Sequence, residues 1–122
     1  MGGGSAWDWN EERQQFYYHA FTKNQPDLNY ENIKVRNEFL AVIKFWLDLG
    51  VDGFRVDAVC WIYEDPELRD FTEDPGRANG SQPDEWRYWN TSRAYNLPKT
   101  LDFLASFRQL LDIYSSADGR PR

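Results

Sequence analysis

One junction limits the possible folds of this chain more than any other. Val35, Phe39, Val42, Trp46 and Leu49 recur at spacings of four, three, four and three, and Ile43 widens the stripe. That pattern predicts an amphipathic helix over residues 32–49. Asn32 is a ready N-cap and Gly50 a ready stop. With no linker between, residues 51–59 follow, in which Phe54, Val56 and Ala58 alternate with Arg55, Asp57 and Val59. Period two predicts a strand. A helix running straight into such a strand is half of an α/β unit, and a parallel strand needs neighbours and cover on both faces.

The remaining segments do not supply those neighbours. Residues 6–9 and 15–21 are aromatic runs separated by the polar residues 10–13, which predicts a hairpin. Residues 22–30 read as loop. Residues 64–96 are rich in turn signals and read as irregular. Leu101, Leu104, Phe107, Leu111 and Tyr114, with Phe103 and Leu110, form a second helical stripe, with Pro98 near its start and Gly119 after its end. Two helices and one parallel-type strand make an incomplete inventory. A full (β/α)8 barrel takes about 250 residues, and this chain has 122. It therefore reads as a piece of a larger α/β domain.

Composition removes several function classes. The net charge is −6, and no Lys/Arg cluster suits a nucleic-acid backbone or an anionic lipid surface. Aromatics at 17% argue against disorder. There is no apolar run long enough to span a membrane, and residues 1–5 lack the apolar core of a signal peptide. Cys60 is the single cysteine, so neither an internal disulfide nor a cysteine-based zinc site is available. His19 is the single histidine and reads as a packed structural residue. Trp7, Trp9 and Tyr17 have faces that suit sugar rings, although burial is the default for aromatics. Glu64, Asp65, Glu67 and Asp70 read as a solvated face. Asn79-Gly80-Ser81 and Asn90-Thr91-Ser92 are glycosylation sequons, in keeping with a secreted parent.

The chemistry concentrates at residues 55 and 57. Positions two apart on a strand share a face, about 6.6–7 Å apart. Arg55 and Asp57 thus stand together, opposite Phe54, Val56 and Ala58. A buried pair of this kind stabilises poorly, and the arginine would keep the carboxylate ionised. An ionised carboxylate at the end of a barrel strand suits a nucleophile. A structural salt bridge is the plain alternative.

Gly53-Phe54-Arg55-Val56-Asp57-Ala58-Val59 resembles the fourth-strand motif of the α-amylase family, glycoside hydrolase family 13. Gln25-Pro26-Asp27-Leu28-Asn29-Tyr30 resembles that family's short motif at the end of domain B, and the order of motif, helix and strand matches. Residues 4–18 are similar to the domain B stretch of insect-type maltases and α-glucosidases. The resemblance implies that residues 1–31 end a domain B-like insertion. Residues 32–122 would belong to a partial (β/α)8 barrel, comprising the third helix, fourth strand, and fourth loop and helix. It further implies a retaining mechanism on oligosaccharide substrates, with Asp57 as nucleophile and Arg55 orienting it and keeping it charged. The general acid Glu and a third carboxylate have no matching motif here.

Departures from the family pattern narrow the reading. Cys60 and Trp61 stand where true amylases carry Lys and His, which favours an exo-acting glucosidase. Ala58 directly after the nucleophile resembles the α-1,4 class, where Val resembles the α-1,6 class. Asp27 matches a calcium-ligand position in amylases. The glucosidase branch often uses that motif only to shape domain B, so no cofactor is expected, with calcium possible in the parent. The implied location is outside the cell, secreted or membrane-anchored. The rival reading is the ectodomain of an amino-acid transporter heavy chain, which shares the fold without being an enzyme. A stand-alone carbohydrate-binding module would need a self-contained fold that this chain lacks.

Overall fold

The computed structural model describes residues 5–76 and 80–122. Its elements are β1 (Trp7–Asn10), β2 (Gln15–Tyr18), α1 (Ile33–Asp48), β3 (Thr72–Glu73), β4 (Trp89–Asn90) and α2 (Pro98–Asp118). Single 3₁₀ turns occupy Val59–Trp61 and Trp86–Tyr88. Two compact units form: Met1–Leu28 with Glu64–Tyr95, and Asn29–Tyr63 with Asn96–Arg122. The irregular stretch after residue 63 thus groups with the hairpin, not with the helices.

In the first unit, β1 and β2 pair antiparallel, with Trp7 opposite Tyr18 and Trp9 opposite Phe16. Both ring pairs meet edge-on, at 5.2 and 5.1 Å, a geometry that adds roughly 0.5–1.5 kcal/mol beyond burial. The hairpin expected from the sequence is present, one residue displaced at β1, with its loop at residues 11–14. Asn10 Oδ1 accepts from the Arg13 amide at 2.8 Å, and Gln14 takes the left-handed φ of 51°. The second strand ends at Tyr18, short of the expected residue 21. There the chain folds back: the Tyr18 carbonyl accepts from the Asp27 amide at 3.1 Å, and Asp27 Oδ2 accepts from the Ala20 amide at 2.5 Å.

The stretch 64–96 is less irregular than its sequence suggests. β3 pairs with β4, Thr72 opposite Asn90 and Glu73 opposite Trp89. Asp65 corrects the expectation of a solvated acidic face. It is only 4% exposed, and Arg69 grips it twice, Nε to Oδ2 at 2.7 Å and Nη2 to Oδ1 at 3.0 Å. The Glu67 amide donates to Oδ1 as well, at 3.1 Å. Of the two sequons, Asn79 lies outside the described residues. Asn90 Oδ1 accepts from the Ser92 amide at 3.1 Å.

In the second unit, the Asn32 side chain caps α1 by accepting from the Lys34 amide. The helix stops as predicted. The Gly50 amide bonds the Leu47 carbonyl at 2.9 Å, and the Val51 amide bonds the Trp46 carbonyl at 3.2 Å. This Schellman pair needs a left-handed residue, and Gly50 supplies it with φ 94°. Pro98 opens α2, and Gly119 closes it at φ 73°. The core between the helices is aromatic: Tyr30 meets Phe103 at 5.1 Å, and Phe39 meets Phe107 at 5.7 Å. Ile43, Leu47 and Tyr63 complete it. At the base of the excursion through residues 61–95, the Asn96 amide bonds the Cys60 carbonyl at 2.7 Å.

The helical stripes are only partly core. α2 covers one edge of the apolar arc on α1, through Phe39, Ile43 and Leu47. Val42, Phe45, Trp46 and Leu49 remain 50, 56, 46 and 65% exposed. The stripe is therefore covered along one edge only. An apolar strip of this kind promotes association. The 122-residue chain is expected to self-associate and bind an apolar dye. The double substitution Phe45→Glu and Leu49→Glu should suppress both while circular dichroism keeps its helical signal. Persistent association of that variant would mean that another surface drives it.

The Arg69 guanidinium holds the Asp65 carboxyl at about 2, below its ordinary 3.8. A folded-state value below the unfolded one contributes stability that is full above the unfolded value and lost as pH falls through the folded value. In the solubilised double variant, a carbon-13 carboxyl titration should place the Asp65 midpoint near 2. Arg69→Ala should move it upward. An ordinary midpoint with Arg69 present would show that the clamp does not form in solution.

Candidate active site

Residues 51–58 form no strand, which corrects the expectation for this segment. The segment has no ladder partner among the described residues, and period-two patterning alone cannot satisfy backbone donors and acceptors. Three anchors give it a course instead. The Schellman turn sends the chain off α1. The Arg120 guanidinium, just past α2, pairs with Asp52 and reaches the Gly50 carbonyl at 3.4 Å. Phe54 packs edge-on against Phe107, with centroids 6.3 Å apart.

With Phe54 turned to the core, Arg55 and Asp57 turn outward together. Arg55 Nη2 donates to Asp57 Oδ1 at 3.1 Å, and the Ala58 amide donates to the same oxygen at 3.1 Å. The pairing anticipated from the i, i+2 spacing is therefore present. Its burial is not: the two side chains are 83% and 77% exposed. Water screens such a pair, which adds little stability. Ala58 takes a left-handed φ of 50°, and its carbonyl starts the 3₁₀ turn by accepting from the Trp61 amide at 3.0 Å. Cys60, three positions beyond Asp57, is a free thiol of intermediate exposure.

A second polar group lies on the hairpin. His19 is 7% exposed, and its Nε2 sits 3.0 Å from Asp8 Oδ2. The register explains the meeting: Asp8 faces Tyr17, so His19 is its diagonal neighbour on the same face. This pair was legible only once the strand register was known. The Tyr17 hydroxyl donates to the Lys23 carbonyl at 2.9 Å, and its ring meets that of His19 at 5.8 Å. Burial raises the Asp27 carboxyl above its ordinary value, with the Ala20 amide opposing. Asp27 thus shapes the loop between residues 18 and 28. Among the described residues no group of three or more His, Cys, Asp or Glu side chains is arranged to hold a metal ion. None of the helices among them is long and apolar enough to cross a membrane.

The family model for the catalytic domain of α-amylase matches residues 1–119. The chain belongs to the α-amylase catalytic-domain family. It is 47% identical to maltase 1 of Drosophila virilis over 118 residues, covering 97% of this chain and 18% of that one. It is 42% identical to a salivary α-glucosidase of Aedes aegypti over 120 residues, covering 98% and 21%. Among solved structures, an α-glucosyl transfer enzyme superposes with a TM-score of 0.80 at 40% identity, over 92% of this chain and 22% of that one. The chain thus spans about a fifth of the length of the relatives it matches, and it has an α/β fold. The relatives named here are a maltase, an α-glucosidase and an α-glucosyl transfer enzyme, which lend nothing to the transporter reading.

The contrast between the two acidic residues can be measured. With Asp57 77% exposed and Asp65 gripped by Arg69 and 4% exposed on its side chain, a carbodiimide with an amine trap should modify Asp57 readily and Asp65 slowly in the 122-residue chain. Peptide mass spectrometry reads the ratio. Equal labelling would contradict the exposure pattern.

Proposed function

We propose that this chain is part of the catalytic domain of a retaining α-glucosidase, which releases terminal α-1,4-linked glucose from maltose-like oligosaccharides. The observation that carries the reading is the Arg55–Asp57 pair, held together on one side of residues 51–58 in a chain that aligns with α-glucosidases and maltases along nearly its whole length. In this proposal residues 1–31 end domain B. α1 is the third barrel helix, residues 51–59 become the fourth strand when neighbouring strands pair with them, and α2 is the fourth helix.

The chemistry follows from those positions. An oxygen of Asp57 attacks the anomeric carbon as the glycosidic C–O bond breaks. A general acid protonates the departing oxygen, and water then hydrolyses the glycosyl ester and frees the carboxylate. Arg55 and the Ala58 amide hold Oδ1, which leaves Oδ2 to present to the sugar. Pairing the strand into a barrel would desolvate both groups, and Arg55 would then keep Asp57 ionised at neutral pH. Ala58 directly after the nucleophile resembles the family's α-1,4 class, which supports the proposed linkage. The resemblance implies that the general acid lies on another strand, with no matching motif in this chain; Asp65, Asp112 and Asp118 are paired with Arg69, Arg108 and Arg122 at 2.7, 2.7 and 2.6 Å. No metal or other cofactor enters the proposed chemistry. Salivary relatives support a secreted protein.

In the full-length protein, Asp57→Asn should lower kcat by about 10³-fold or more with the fold retained. A mechanism-based glucosyl fluoride should label Asp57 in the wild type. Near-normal turnover of the variant, or a label on another residue, would refute the assignment.

A further inference from the structure

The first unit holds a cavity of about 270 Å³ between the hairpin and the 64–94 stretch, sharing no residue with the Arg55–Asp57 pair. Trp7, Tyr18, Phe71 and Trp89 supply its aromatic lining, and all four are half-buried. The Trp89 indole N–H is used within the unit, donating to the Pro83 carbonyl at 3.0 Å. Small-molecule sites are typically about 300–1,000 Å³, apolar and aromatic with a few convergent polar groups. This cavity is at the small end and suits one compact ligand.

The charges in the wall select the ligand. Arg69 is committed to Asp65 and Glu67, through contacts of 2.7, 3.0 and 3.1 Å, so its charge is compensated. Glu64 is engaged in an interaction of its own. Asp70 differs: it is exposed, and among the described residues its carboxylate makes no hydrogen bond or ion pair, Arg93 Nη1 reaching only its backbone carbonyl at 3.4 Å. The lining thus sets an uncompensated negative charge beside aromatic rings, whose faces are themselves the negative side of a quadrupole. The Tyr18 hydroxyl feels the same field: burial raises it above its ordinary value, and the carboxylates of Asp27 and Glu64 add to the shift. A bare metal ion would need converging oxygen or nitrogen ligands, and no group of three His, Cys, Asp or Glu side chains provides them among the described residues. An organic ammonium needs only a carboxylate and ring faces. At the rim, Leu68 of the lining is 59% exposed and held at a left-handed φ of 53°, its amide bonded to the Asp65 carbonyl at 2.9 Å. Backbone of that kind clusters at ligand sites, and here it sets an apolar side chain at the mouth. We propose that this cavity binds a small alkylated ammonium ion, with its charge beside Asp70 and its alkyl groups against the aromatic rings and Leu68.

The test uses full-length protein labelled with 5-fluorotryptophan, with the Trp7 and Trp89 resonances assigned by Trp→Phe substitution. Choline should shift both resonances saturably, and equally in wild type and Asp57→Asn, which makes the readout independent of the glucosidase reading. The neutral carbon isostere of choline, dimethylbutanol, should bind about tenfold more weakly, because it lacks the charge that the ring faces attract. Asp70→Asn should weaken choline binding about fivefold, the upper end for an exposed ion pair. Asp70→Lys, at an exposed position outside the core, should remove the shifts. The proposal is overturned if no saturable shift occurs, if dimethylbutanol binds as well as choline, if the shifts survive in Asp70→Lys, or if they vanish in Asp57→Asn, which would put the cation at the Arg55–Asp57 pair.

Discussion

The edge-on contact of Phe54 with Phe107 gives the candidate site its direction. Residues 51–58 have no ladder among the described residues, so nothing regular in the backbone dictates which way their side chains turn. One ring, inserted into an aromatic cluster already formed by Tyr30, Phe39, Phe103 and Phe107, decides it. Alternation then sends Arg55 and Asp57 to the other side. The cluster itself depends on α1 and α2 meeting along Phe39, Ile43 and Leu47. A large-to-small change at Phe107 typically costs about 3–5 kcal/mol in a packed core. Here it would also remove the reference that orients the pair.

Local chemistry was the most legible part of the sequence. Asn32, Gly50, Pro98 and Gly119 mark their helix ends because caps and stops depend on a few neighbouring backbone groups. The hairpin was legible for the same reason, with its aromatic pairs following from register. Residues 51–59 show where local pattern stops being enough. Alternation says which residues would share a face, and the Arg55–Asp57 contact obeys it. Whether a ladder forms depends on strands from elsewhere, and period two carries no information about them.

Two features were hidden for a different reason. Asp65 looked like one acid among several, because i, i+4 spacing to Arg69 signals a contact only if the intervening chain turns. The Asp8–His19 pair needs the register of two strands before the residues can be seen as neighbours. Both are contacts between side chains whose separation is fixed by a fold, not by spacing. The exposed strip on α1 is the converse case. Its apolar character was plain, and only the structure shows that α2 reaches one edge of it.

The hydrogen bond from the Asn96 amide to the Cys60 carbonyl has a consequence for how this architecture can vary. It fastens the two ends of the excursion through residues 61–95 at its root, and only the part after Tyr63, which itself packs into the helical core, lies beyond that core. Lengthening a closed flexible loop is inexpensive, about 0.6 kcal/mol for each doubling. Residues 64–95 are therefore the place where insertions and deletions can accumulate while α1, α2 and the segment between Gly50 and Tyr63 keep their geometry. An engineer seeking to graft a new recognition loop onto this scaffold would cut after Tyr63 and rejoin the chain at Asn96.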